Sequence, residues 1–128
     1  MSIVQNKSYE REFVNLMTKL NIDCHRVAGS GAGKEAVCDC IMFYQKKTYL
    51  VEVKATKEKK LYMRGRIKEQ LQNMLRVCEK NEVVPLLAIK FKHRGWNLCL
   101  LRNFEHIDFI KEAILDETDD STAGLPIN

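Results

Sequence analysis

The feature that most constrains the fold is a run of nine residues, 83–91, with the sequence VVPLLAIKF, in which only Lys90 carries a charge. Its length suits a strand, and the lack of polar alternation predicts that the strand is buried on both faces. A strand of this kind lies inside a sheet. The run therefore indicates a sheet that is covered by helices.

The segments around this run show either helical or strand-like spacing of apolar residues. The order α-β-β-α-β-β-α predicts an α/β fold with a mixed central sheet of about four to five strands flanked by helices. Ser8 is the predicted N-cap of the first helix. The predicted helices span 9–20, 64–80 and 103–114, and the strands that join 83–91 span 37–44, 48–56 and 96–101.

Length and charge bound the class of protein. The 128 residues fit one domain, which we place at 1–115, followed by an acidic and flexible tail at 116–128. All 21 Lys and Arg residues lie within the first 111 positions, whereas five of the 17 acids follow Lys111, so residues 1–111 carry a formal charge of +9. A small domain this basic suggests a polyanionic partner, with solubility alone as the alternative.

The sequence also indicates a compartment. It has no run near the roughly 18 apolar residues of a membrane span, and its polar N-terminus does not resemble a secretory signal. We therefore expect no membrane partner and a cytoplasmic protein. The five cysteines include no CxxC pair, so we expect free thiols.

Two predicted strands carry charges on faces that are otherwise built for burial. Side chains alternate along a strand, so Glu52 and Lys54 share a face with Leu50. On the preceding strand Asp39 shares a face with Ile41. Buried charges are rare unless they are paired or bind a metal. A short turn joins the two strands, and we therefore expect these charges to converge.

The first helix supplies a third acid. At about 100° per residue Glu10 falls between the directions of Val14 and Met17, inside the apolar arc, whereas Glu12 falls on the polar flank. If only one of the two acids faces the sheet, the helical phase selects Glu10.

This set of groups suits metal-assisted phosphodiester hydrolysis. Two carboxylates, Asp39 and Glu52, can hold Mg²⁺ while leaving water positions free, and the Val53 carbonyl is a further candidate ligand. Glu10 can complete the metal shell directly or through water. Lys54 can orient or deprotonate the attacking water, or stabilise the transition state as a cation.

Asp39 followed by Glu52-Val53-Lys54 on the next strand resembles the PD-(D/E)XK nuclease core. The wider stretch 8–101 is similar to the archaeal-type Holliday junction resolvases. That resemblance implies a restriction-endonuclease-like core, an active centre made of Glu10, Asp39, Glu52 and Lys54, and Mg²⁺ with Mn²⁺ as a substitute. It also implies a homodimer that resolves four-way DNA junctions by paired symmetric nicks in recombination, repair or the processing of replication intermediates, in an archaeal cell or a virus-infected host cell.

Basic and polar residues near this centre are the predicted DNA contacts. The resemblance carries over Arg11, Arg26 and Ser30, and a cluster of bases directly after the ExK triplet suits phosphate contacts that do not depend on base sequence. A solvated face is the usual interpretation of such a cluster. The complete predicted set is Lys7, Arg11, Arg26, Ser30, Lys34, Lys57, Lys59, Lys60 and Arg64.

Several features allow other interpretations. The loop GSGAGK at 29–34 resembles a phosphate-binding loop but precedes a strand and lacks the final Ser or Thr, so no nucleotide cofactor is expected. Cys38 and Cys40 are expected to pack together on the face opposite Asp39. Gln70 is equally consistent with an active-site or a surface position.

The sequence is compatible with three competing functions. The first is another PD-(D/E)XK nuclease, restriction-like or nicking. The second is a catalytically silent DNA-binding or packaging module, and the third is a basic protein-interaction domain.

Overall fold

The apolar run at 83–91 forms a central strand of the sheet, which begins at Val84. The computed structural model describes residues 3–4, 7–27, 37–58, 60–62, 65–92, 95–101 and 114–116. Its elements in chain order are β1 (Ile3–Val4), α1 (Lys7–Lys19), β2 (Asp23–Arg26), β3 (Cys40–Tyr44), β4 (Lys47–Thr56), β5 (Lys60–Tyr62), α2 (Arg66–Asn81), β6 (Val84–Phe91), β7 (Gly95–Leu100) and β8 (Ile114–Asp116).

The main sheet is mixed, as predicted. Its strand order is β2-β3-β4-β6-β7, and β1 pairs with the far end of β4. Of the strand pairs that the structure describes, only β4 and β6 run parallel, with Glu52 opposite Leu87 and Lys54 opposite Ile89. The other pairs in this sheet are antiparallel. The prediction of an α/β fold with a mixed sheet is therefore confirmed.

Among the described residues, one helix covers each face of this sheet. A parallel pair needs a crossover connection, and α2 supplies it between β4 and β6. Its apolar side packs through Ile67, Leu71 and Met74 against the face that carries Leu50. On the opposite face α1 packs through Phe13 and Met17. In the part of the chain that the structure describes, no helix is long and apolar enough to span a membrane.

A tight hairpin turn connects the two strands that carry the candidate acids. Gln45 and Lys46 both have positive φ, at 50° and 64°, between the paired residues Tyr44 and Lys47. Two central residues of this kind form a type I′ turn, whose twist matches that of the flanking strands. The sequence predicts a turn of three residues, 45–47. In the structure the turn has two residues, and Lys47 is the first residue of β4.

The structure corrects several boundaries. The strand predicted at 37–44 begins only at Cys40, because a bend at 37–39 interrupts the alternation of side chains. As a consequence Cys38 belongs to the core under α2 and Cys40 to the core under α1, so the expectation that both share a face is wrong. Ser8 lies inside α1, which begins at Lys7, and is not its N-cap.

The short strands were not predicted. β1, β2, β5 and β8 have two to four residues each. β8 includes Ile114, which the prediction placed in a terminal helix, and pairs it with Tyr62 of β5. The rest of that predicted helix, 103–113, lies outside the described residues.

Candidate active site

A buried ion pair lies at the centre of the sheet. Glu52 and Lys54 are only 5% and 2% exposed, on the strand that is paired with both β3 and β6. The Lys54 Nζ atom lies 3.3 Å from Glu52 Oε2. Their neighbours Val51 and Val53 belong to the core on the opposite face, as the alternation predicted.

Asp39 reaches this pair from the bend that precedes β3. Its Oδ2 atom accepts a hydrogen bond of 2.8 Å from the Val53 backbone N–H. The regular pairing of β3 with β4 stops at Cys40 opposite Val51, so among the described strands no β3 residue is paired with Val53. At this position the Asp39 carboxylate therefore accepts the hydrogen bond that a backbone carbonyl of β3 would accept in a regular strand pair. The N–H and C=O of one strand residue point to the same side, so the Val53 carbonyl faces the same edge as Asp39.

The two carboxylates oppose each other electrostatically. Burial, followed by repulsion from Asp39, raises the pKa of Glu52 to about 7, although Lys54 acts to lower it. Burial also raises the pKa of Asp39, whereas the Val53 N–H and the Lys54 charge lower it. A cation between the two groups would remove this repulsion.

Glu10 joins the same electrostatic environment from α1. Burial and then the charge of Asp39 raise its pKa, and Arg26 acts against them. The Arg26 Nε atom lies 3.3 Å from Glu10 Oε1, so strand β2 and helix α1 are linked at this corner. Glu12 instead pairs with Lys90 of β6 and is more exposed than Glu10. The helical phase that separated Glu10 from Glu12 is therefore correct.

Helix α2 adds a contact that the sequence left undecided. The Gln70 Oε1 atom accepts a hydrogen bond of 2.7 Å from Lys54 Nζ. Gln70 lies next to the apolar side of α2, which carries Ile67, Leu71 and Met74. The only sequence signal was this position beside a helical apolar stripe, which polar surface residues share. The contact fixes the Lys54 ammonium between an acid and an amide.

The donor set fits a hard divalent cation that keeps several waters. It consists of oxygen atoms from Asp39 and Glu52, with the Val53 carbonyl on the same edge. Among the described residues, no three Asp, Glu, His or Cys side chains form a ready metal cluster. A two-carboxylate site is compatible with Mg²⁺, which is commonly held by one or two carboxylates plus substrate phosphates.

The cysteines near the site behave as packing residues. Burial raises the pKa of Cys38 to about 12, with a further contribution from the Glu52 charge. A hydrogen bond with the Cys24 side chain, followed by burial, raises the pKa of Cys40. Both groups stay protonated at neutral pH, and a thiol in that state is a poor metal ligand.

The predicted DNA contacts fall into two groups. Lys7, Arg11 and Lys57 are exposed, and Arg26 is partly exposed beside Glu10. Lys60 lies in β5. The other predicted contacts, Ser30, Lys34, Lys59 and Arg64, lie outside the described residues.

Known proteins share this fold. The sequence model of the archaeal Holliday junction resolvase (Hjc) family matches residues 1–125. The 1.6 Å resolution structure of Archaeoglobus fulgidus Hjc, a Holliday junction resolvase from an archaeal hyperthermophile, matches with a TM-score of 0.64 and 21% sequence identity, and the match covers 88% of each chain. At that identity the structural likeness shows a common fold. The search of curated proteins returned no match.

Proposed function

Because the chain belongs to the archaeal Holliday junction resolvase family, whose members are endonucleases of the PD-(D/E)XK type, we propose that Glu10, Asp39, Glu52 and Lys54 form its active centre. The observation that carries this assignment is the buried pair of Glu52 and Lys54 beside a second carboxylate at the centre of the sheet. Such a cluster costs folding free energy, and a protein that only binds DNA has no need of it.

The family is generally dependent on a divalent metal, and we propose Mg²⁺, with Mn²⁺ as a substitute, held by Asp39, Glu52 and the Val53 carbonyl. Glu10 contributes directly or through water. When bound, the cation polarises the scissile phosphate and acidifies a coordinated water.

The residues of the chain divide the remaining work. Lys54 is held by Glu52 at 3.3 Å and by Gln70 at 2.7 Å. In this proposal its ammonium stabilises the negative charge that develops on the phosphate. Asp39 is oriented by the Val53 N–H, and Glu10 by Arg26. As water adds to phosphorus and loses a proton, the bond between phosphorus and the leaving sugar oxygen breaks, and that oxygen takes up a proton to become a hydroxyl. The fixed groups require little rearrangement.

Resolution of a junction requires two nicks related by symmetry, so we propose a homodimer with one active centre in each protomer. The exposed bases Lys7, Arg11 and Lys57, with Arg26, Ser30, Lys34, Lys59, Lys60 and Arg64, would contact DNA phosphates. We also propose that residues 1–115 form the nuclease domain and 116–128 a tail, whose first residue, Asp116 of β8, is still paired with Lys60. A chain that ends at Asp116 would then melt at the same temperature as the full chain, and a clearly lower melting temperature would reject this division.

The test compares cleavage of a synthetic four-way junction with cleavage of linear duplexes of the same sequence, with Mg²⁺ and with chelator. Asp39→Asn should abolish nicking and leave junction binding intact. Asp23→Asn is the matched control, because Asp23 is an exposed acid in β2, opposite Phe43 at the other end of the strand pair. Tight binding with no metal-dependent nicks would instead favour the silent DNA-binding module. Equal cleavage of junction and duplex would favour a nuclease without junction selectivity.

A further inference from the structure

Two buried thiols that the catalytic assignment leaves unused lie side by side between β2 and β3. Cys24 of β2 is 3% exposed, and Cys40 of β3 is fully buried. Both belong to the core cluster under α1, and their side chains are joined by a hydrogen bond. We call these two residues the β2–β3 thiol pair. Two thiols in contact are the reduced form of a dithiol that an oxidant can convert to a disulfide.

The strand register explains why these two thiols meet. Cys24 is opposite Met42, and Cys40 is opposite Arg26, so the two cysteines are diagonal neighbours on paired strands. Side chains two residues apart along a strand share a face, which places Cys40 on the same side as Met42. Cys38 belongs to the core cluster on the other face, because the chain bends before β3 begins. The bend thus separates Cys38 from the pair.

The β2–β3 thiol pair lies next to two groups of the candidate active centre. Cys40 directly follows Asp39 in the chain. Arg26, which is opposite Cys40, has its Nε atom 3.3 Å from Glu10 Oε1. A covalent bond within the pair would therefore act on the two chain segments that position Asp39 and Arg26.

A disulfide would pull these two segments together. Disulfides form readily when the two Cα atoms are within about 7 Å, whereas the Cα atoms of diagonal neighbours are about 7–8 Å apart, so β2 has to shift by roughly 1 Å toward β3. Strand β2 has only four residues and stands at the end of the strand order, so it can move with little disturbance of the sheet. A displacement of about 1 Å is enough to impair catalysis when it reaches a catalytic group.

The closed pair is protected from oxidants. The hydrogen bond with Cys24, followed by burial, raises the pKa of Cys40, and the thiolate is the form that reacts. Reaction therefore requires β2 to separate from β3. A four-residue strand is held by few backbone hydrogen bonds, so local opening of this kind costs less than global unfolding.

We propose that the β2–β3 thiol pair is a modification site for low-molecular-weight disulfides, which oxidise it to a disulfide between Cys24 and Cys40 and thereby slow nicking. The Cys24 thiolate attacks one sulfur of the small disulfide, and half of that molecule leaves as a thiolate that takes up a proton. The Cys40 thiolate then attacks the Cys24 sulfur, and the second half leaves in the same way. Two protein thiols are oxidised, and one small disulfide is reduced to two thiols. The effect on nicking rests on the proposed function, whereas formation of the disulfide does not.

The test treats the full chain with oxidised glutathione. The product should be lighter than the reduced chain by two hydrogen atoms, and trypsin should release the peptide 20–26 joined to the peptide 35–46. Fragmentation between Asp39 and Cys40 assigns the bond to Cys40 and not to Cys38. The single-turnover rate of junction nicking in Mg²⁺ should fall about tenfold after oxidation and return when dithiothreitol is added.

Variants of single cysteines provide the controls. Cys24→Ala should nick at the same rate before and after treatment, because it lacks one member of the pair. Cys24→Ser fills the same space more closely and guards against a loss of activity that comes from a cavity in the core. Cys78→Ala is the matched control, because Cys78 is a buried cysteine of α2 on the other face of the sheet, and this variant should keep the sensitivity of the wild type.

The outcomes separate this inference from the proposed function. The inference is overturned if no disulfide forms, if the bond joins other cysteines, or if the bond between Cys24 and Cys40 leaves the nicking rate unchanged. In each of these cases a wild-type chain that nicks the junction keeps its nuclease assignment. If the reduced wild-type chain does not nick, the proposed function fails, and the peptide map alone decides the inference: a bond between Cys24 and Cys40 supports the modification site, and its absence overturns it.

Discussion

At the scale of single residues, the candidate site is defined by groups that are unfavourable alone and acceptable together. Glu52 is buried beside another carboxylate and has Lys54 as its ion-pair partner at 3.3 Å. The buried Lys54 ammonium is in turn stabilised by its contacts with Glu52 and Gln70. Removal of either partner would leave a buried charge without its counterpart. A single substitution in such a cluster therefore lowers the free energy of unfolding strongly.

The first prediction concerns pH and stability without metal. The pKa of Glu52 is about 7 in the folded chain, whereas its ordinary value, which applies to the unfolded chain, is 4.5. Between these values the folded chain binds more protons than the unfolded chain, so this group makes stability fall as pH rises from 4.5 to 7. We expect the unfolding free energy of wild type minus that of Glu52→Gln to fall by about 3 kcal/mol over this range, measured by urea denaturation in chelator. A difference that does not vary with pH would show that Glu52 ionises normally.

The second prediction concerns Gln70 as a positioning residue. Gln70→Ala removes the 2.7 Å contact with Lys54, and we expect the single-turnover nicking rate to fall about tenfold while junction affinity is retained. Gln72→Ala is the control, because Gln72 lies about 200° further around α2. Gln70→Glu keeps an oxygen acceptor for Lys54 and should recover part of the rate. Equal rates for the two alanine variants would assign Gln70 a surface role.

Residue patterns alone predicted much of this site. The alternation along β4 correctly placed Glu52 and Lys54 on one face, and the helical phase separated Glu10 from Glu12. The same alternation failed at Cys38, because Asp39 lies in a bend and not in the strand. A bend that depends on one carboxylate binding the Val53 N–H leaves no periodic signal, and neither does the contact between Gln70 and Lys54.

At the scale of elements, prediction succeeded where a segment was long enough to show its own periodicity. Helix α2 and strands β4 and β6 have 16, 10 and 8 residues and were found within two residues of their observed bounds. Strand β2 has only four residues, with the sequence DCHR, and becomes a strand through its pairing with β3. Pairing over such distances is tertiary information that a short local window does not contain.

The third prediction addresses the hairpin between β3 and β4. Lys46 adopts a φ of 64°, a left-handed conformation that costs a non-glycine residue about 1 kcal/mol. Lys46→Gly should therefore stabilise the chain by about 1 kcal/mol in urea denaturation. Lys47→Gly provides the contrast, because Lys47 is in β4 and glycine weakens a strand. A loss of stability with Lys46→Gly would indicate that the side chain makes a contact worth more than the strain.

At the scale of the whole molecule, charge and topology act together. The first 111 residues carry the excess positive charge, and two exposed bases of α1, Lys7 and Arg11, lie within one turn of Glu10. The charge distribution predicted a polyanionic partner, and family membership identifies it as branched DNA. The dimer interface could not be predicted, because an apolar surface that binds a second copy has the same local pattern as one that packs in the core.

The fourth prediction tests the dimer. The chain should sediment at twice the mass of one protomer, and dimers that combine a wild-type protomer with an Asp39→Asn protomer should nick only one strand of the junction. Supercoiled plasmid with an extruded cruciform reports this directly, because one nick gives an open circle and two coordinated nicks give a linear product. A monomeric mass, or linear product from the mixed dimer, would contradict paired symmetric cleavage.

The hydrogen bond from the Val53 N–H to Asp39 has a consequence for deuterium exchange. The amides of Glu52 and Lys54 point toward β6 in the interior of the sheet, and we expect them to exchange slowly. The Val53 amide is held by a side-chain carboxylate at the position where the β3 ladder stops. The exchange rate of the Val53 amide therefore depends on whether Asp39 holds this hydrogen bond. If a divalent cation binds Asp39 and alters the hydrogen bond, we expect the deuterium labelling rate of this amide to change, even when no DNA is present.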